Sequence, residues 1–144
     1  MSAIGYLKER FVSGRTAGFY IALGAAVLFI VSDIIFIAVD AGDRTFSYVT
    51  FALILAGAAI EIASAFFDYV FLDFLPVVSC ICYGVAFGMH LYLGLPTLSD
   101  VWNGVNFVGG NAQAVITFAV LFGTGLLAAL VACFMKRRRS VEEQ

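Results

Sequence analysis

The chain has 144 residues, 62% of them hydrophobic and only 12% charged, which is more apolar surface than one water-soluble core of this length can hide. A mean hydropathy of +1.02 fits a bilayer instead. The formal net charge of −2 conceals how unevenly the basic residues are placed and identifies no partner; no nucleic-acid patch, phosphate-binding loop or Ser-His-Asp spacing is present.

Residues 1–16 read as a short cytoplasmic lead-in, with Ile4, Leu7 and Phe11 at helical spacing opposite Lys8 and Arg10, a pattern suited to the inner interface. Four apolar runs follow, at about 17–39, 46–67, 74–95 and 112–135. Each reaches the roughly 20 residues needed to cross a hydrocarbon core of about 30 Å. They are too long and too evenly apolar for barrel strands, and backbone groups in lipid need internal partners, so four α-helices are expected. The first run is longer than a signal-peptide core and ends at no clear cleavage site, which makes it a retained helix.

The loop DAGDRT (40–45) is tight, with Asp43 or Thr45 placed to cap the second helix. The loop DYVFLD (68–73) is equally tight, and Phe66, Phe67, Tyr69, Phe71 and Phe74 around it resemble an aromatic interfacial belt. Asp73 and Pro76 suit the start of the third helix, which Pro96 is expected to end. The outer loop, 96–111, is long and rich in Asn and Gly, and Asn111 can cap the fourth helix. Asp100, Trp102, Asn103 and Asn106 are its candidates for binding a ligand or partner outside.

Short loops make neighbouring helices antiparallel. Lys8, Arg10 and Arg15 precede the first helix, Lys136 to Arg139 open the basic tail 136–144, and Arg44 alone lies elsewhere. The expected architecture is therefore all-α: a single-domain, up-down-up-down four-helix bundle in the cell membrane, with both termini cytoplasmic.

Ionisable residues inside such helices are costly towards lipid and should face the bundle interior. Asp33, His90 and Thr117 fall near one level, about 8 Å outward of the midplane, and Glu61 lies about 7 Å on the inner side. Helix faces agree with inward placement. Gly18, Ala22, Ala26, Phe29 and Asp33 share a face of the first helix, as do Thr50, Gly57, Glu61, Ser64 and Asp68 on the second. The simplest partner for Asp33 is His90; for Glu61, it is Ser79, Tyr20 or Tyr83. Such groups serve either as interhelical glue or as stations on a proton or solute path, with Tyr83 or water needed between Asp33 and Glu61.

Gly84 and Gly88 form a small-xxx-small pair suited to close helix packing, and Gly57 sits among small neighbours. The cysteines Cys80, Cys82 and Cys133 read as packing residues, because Cys80 and Cys82 point apart and no C-x-x-C or metal cage is spelled out. The chain is similar in size and hydropathy to small multidrug transporters, but these carry a glutamate in their first helix where this sequence has Asp33 in a different setting. Two functions are expected in turn. One is a non-enzymatic membrane protein acting through helix contacts with itself or a larger membrane partner. The other is a proton-linked small transporter or channel using Asp33, His90 and Glu61. Neither calls for a cofactor or a metal.

Overall fold

A computed structural model describes Gly5 and residues 15–66 and 74–135. The expected lead-in helix, most of the aromatic inner loop, Asp73 and the basic tail lie outside the described residues. Four helices are present, α1 (Ala17–Asp40), α2 (Tyr48–Phe66), α3 (Leu75–Asn103) and α4 (Ala112–Phe134), each long and apolar enough to cross a membrane.

The helices pack as a ring in which α1 touches α2 and α4, and α3 touches the same two. Contacts at both ends fix the directions. At the terminal end, Arg15 donates to the Ala65 carbonyl at 3.3 Å, and Cys80 near the start of α3 meets Cys133 at the end of α4. At the loop end, the Asn111 amide donates to Asp43 Oδ2 at 3.0 Å. Sequential helices are therefore antiparallel.

Arg15 does two jobs at the terminal end. Its guanidinium donates to a carbonyl in the last described turn of α2, and it lies 4.6 Å from the centroid of the Phe19 ring. The second helix is capped by neither Asp43 nor Thr45. Ser47 Oγ accepts from the amides of Val49 and Thr50 at 3.2 and 3.4 Å, because it stands immediately before the helix. Thr45 instead donates its hydroxyl to Asp40 Oδ2 at 2.7 Å.

The largest departure from expectation is at Pro96, which lies inside α3 and does not end it. Proline removes one helical hydrogen bond and crowds the preceding turn. Here the residues beyond it have tertiary contacts that offset this loss. Thr97 donates to the Gly109 carbonyl at 2.8 Å, and Asp100 Oδ2 accepts from the Val108 amide at 2.6 Å. The helix stops at Gly104, whose φ of 66° is left-handed and whose amide returns to the carbonyls of Asp100 and Val101. The connection to α4 thus shortens to 104–111, and Asn111 caps α4 by accepting from the Ala114 amide at 3.1 Å.

At mid-bundle all four helices contribute one layer each to a single stack. Gly57 of α2 lies against the Tyr83 ring of α3, with 2.7 Å between Tyr83 Cε1 and the position a Cβ would take. Tyr83 stacks on Phe29 of α1, with centroids 3.8 Å apart and planes 12° from parallel. Phe29 then presses on Gly125 of α4, 2.9 Å from a Cβ placed there. The two glycines are what allow two aromatic rings to fit between opposite helices. Nearer the loop end, Phe36 meets Phe118 and Phe122 edge-on at 4.9 and 5.6 Å, continuing an interior filled by rings.

Candidate functional site

The stacking contacts set the levels of the interior polar groups. Phe29 lies level with Tyr83, and Phe36 with His90, their centroids 5.6 Å apart. Asp33 therefore sits one helical turn, roughly 5 Å, short of His90. The expected Asp33–His90 hydrogen bond does not form. His90 Nε2 lies 3.1 Å from the Val115 carbonyl, and since a carbonyl only accepts, Nε2 carries the hydrogen in that bond. Its other nitrogen, Nδ1, is buried without a hydrogen-bond partner among the described residues, and so are both oxygens of Asp33.

More such atoms surround this level. Gly57 faces Tyr83 across the antiparallel α2–α3 pair, so two turns further along Thr50 faces His90. Thr50 Oγ1, Asp40 Oδ1 and Tyr83 Oη are likewise buried without a hydrogen-bond partner among the described residues. Asp40 lies one turn beyond Phe36 on α1, on the loop side of His90, as Asp33 lies one turn before it. Each unpaired buried group costs about 1–3 kcal/mol. Asp33, with neither oxygen satisfied and no exposed surface, is the least compensated residue of the interior.

Glu61 lies on the other side of the aromatic stack. It is 4% exposed, in a small recess near the terminal end that it lines with Phe19, Ala22, Leu23 and Ala65. Counting along the helices through the Gly57–Tyr83–Phe29 level, Glu61 and Asp33 are roughly 12 Å apart. The hydroxyl of Ser79 donates to the Gly57 carbonyl at 2.6 Å, and Tyr83 Oη, with Ser79 beside it, has no bond of full hydrogen-bond geometry among the described residues. Neither forms a hydrogen-bonded bridge through Tyr83. Among the described residues, no such chain joins Glu61 to Asp33 and His90.

Thr117, a candidate by its depth alone, does not join these interior groups. It is exposed, and its hydroxyl donates to the Gln113 carbonyl one turn back at 2.8 Å. That local bond lets a threonine face outward without an unsatisfied group.

At the loop end the four candidates divide. Asp100 is 9% exposed and holds the 104–111 connection by its bonds to the Val108 and Gly109 amides. Trp102, Asn103 and Asn106 are exposed, and Asn103 Nδ2 is engaged locally with the Ser99 carbonyl at 2.8 Å. The sequence reading overlooked Asp40 and Thr97 here; their only signal was a carboxylate and a hydroxyl spaced for an inward face at a helix end.

The three glycines also divide. Gly57 is spent on Tyr83, whereas Gly84 and Gly88 have no atom within 4 Å of an added Cβ and so pack nothing within the bundle. No group of three metal-ligating side chains occurs among the described residues. No protein-family model, curated protein or solved structure matches this chain.

Proposed function

We propose that this is an integral protein of the cell membrane, with both termini cytoplasmic, that acts by helix contact with a second copy of itself or a larger membrane protein. The observation that carries the reading is the open face of α3 around Gly84 and Gly88. Gly57, Gly94 and Gly125 are each filled by a neighbouring side chain within the bundle, but these two are not. Ile81 and Val85 beside them are 59% and 50% exposed. In lipid, close backbone approach at small residues is a main source of helix association. The asymmetry of basic residues supports the orientation.

The test uses Gly84→Leu and Gly88→Leu, which the fold has space to accept. Energy transfer between labelled copies in liposomes reads self-association, and co-purification from native membranes reads a larger partner. Loss of either signal with the helical spectrum unchanged is the expected result. If both signals persist in both variants, the proposal fails.

A second reading, proton-linked transport through Asp33, His90 and Glu61, draws support from the uncompensated Asp33 carboxylate. Such a group calls for a proton, a cation or a water. The ring stack between Asp33 and Glu61 argues against a conduit. In liposomes, proton flux no higher than in empty vesicles is expected. A flux that falls in both Asp33→Asn and Glu61→Gln would replace the first reading with this one.

A further inference from the structure

We infer that Cys80 and Cys133 form a redox-active dithiol that closes to a disulfide between α3 and α4 when a small hydroperoxide is the oxidant. The two sulfurs, 53 residues apart in sequence, lie 3.2 Å from each other. A disulfide bond is about 2.05 Å long, so the sulfurs need approach by only about 1 Å, a distance that small side-chain rotations cover. Both thiols are reduced in the structure.

Surroundings assign the two cysteines different parts. Cys133 is half-buried in the last turn of α4, and its thiol donates to the Pro76 carbonyl at 3.5 Å. Cys80 is 8% exposed, within the core beside it. The reagent therefore meets Cys133 first. The Cys133 sulfur attacks the peroxide, the O–O bond breaks, and Cys133 sulfenic acid forms as the alcohol leaves. The Cys80 sulfur then attacks the Cys133 sulfur. The S–S bond forms, the S–O bond breaks, and the hydroxyl leaves as water with the proton from Cys80. Two electrons and both thiol hydrogens pass to the peroxide, and a dithiol reductant reverses the reaction.

Cys82 is an internal control. Its Cβ faces Gly57 of α2, away from Cys133, so the geometry gives it no part in the bond.

The experiment treats the full chain in liposomes with tert-butyl hydroperoxide, blocks remaining thiols with a maleimide and determines intact mass and peptide linkage. The expected result is loss of two of the three thiols, a mass lower by two hydrogens before blocking, and a Cys80–Cys133 crosslinked peptide that dithiothreitol releases. Cys82→Ser should retain all of this, and Cys133→Ser should lose the crosslink. Any of three results overturns the inference: Cys133 advancing to sulfinic acid with no crosslink, Cys82 appearing in the linkage, or Cys133 joining two chains instead of two helices.

Discussion

The stack Gly57–Tyr83–Phe29–Gly125 makes a quantitative prediction about one methyl group. In Gly57→Ala the new Cβ would lie 2.7 Å from Tyr83 Cε1, 3.0 Å from its Cδ1 and 3.2 Å from Cys82 Cβ. Carbon atoms in good contact sit about 3.5–4.0 Å apart, so the ring would have to retreat by roughly 1 Å. It has nowhere to go, because Phe29 lies on its other side at 3.8 Å and is itself backed by Gly125. Overpacking of this kind costs about 1–3 kcal/mol, while alanine for glycine within a helix returns about 1 kcal/mol. Gly24→Ala has the same helix term and no steric one, since nothing lies within 4 Å of its added Cβ. The two variants should therefore differ by about 1–3 kcal/mol, with Gly57→Ala the less stable. Unfolding in mixed micelles by titration with sodium dodecyl sulfate, followed by far-ultraviolet circular dichroism, gives the comparison. Equal shifts in both variants, within about 0.5 kcal/mol, would refute the wedged-ring argument.

Two further substitutions address the polar groups. Asp33→Leu removes a buried carboxylate with no partner and should raise stability in the same titration by about 1–3 kcal/mol; a clear loss would mean that the carboxylate is bonded after all. Asp100→Ala leaves the Val108 and Gly109 amides without their acceptor and should cost about 1–3 kcal/mol. Faster hydrogen exchange across 104–111 is the local signature, and unchanged exchange there would exclude Asp100 as the loop's anchor.

How far the sequence could be read follows from what each feature depends on. Hydropathy and run length are local properties, and they indicate four apolar helices directly. Contacts between polar residues depend on register, which no single helix contains. Placing the helix centres at one depth puts His90 level with Asp33, whereas the stacking of Phe29 on Tyr83 sets His90 one turn further toward the loop end. Helix α3 continues past Pro96 to Asn103 because Thr97 and Asp100 find partners in the next loop, a tertiary effect that overrides a local rule. Thr117 could be read for depth alone, because its direction round the helix depends on where α1 and α3 touch α4. The Gly84–Gly88 spacing was visible as a pattern, yet only coordinates separate an outward pair from an inward one such as Gly57 and Tyr83. The meeting of Cys80 with Cys133 left no trace in the spacing of either.

Helix α3 has 29 residues and its neighbour α2 has 19, a difference of roughly 15 Å along the axis. With Gly57 level with Tyr83, the two begin together at the terminal end, so nearly all of the surplus rises past Tyr48 at the other. The molecule has a tall wall and a low one. If the protein spans a bilayer as proposed, a lipid layer of uniform thickness would not match both, and it would either dip beside α2 or let the whole bundle lean. Trp102, 91% exposed near the crest of the tall wall, is the side chain that would feel which of the two the surrounding bilayer chooses.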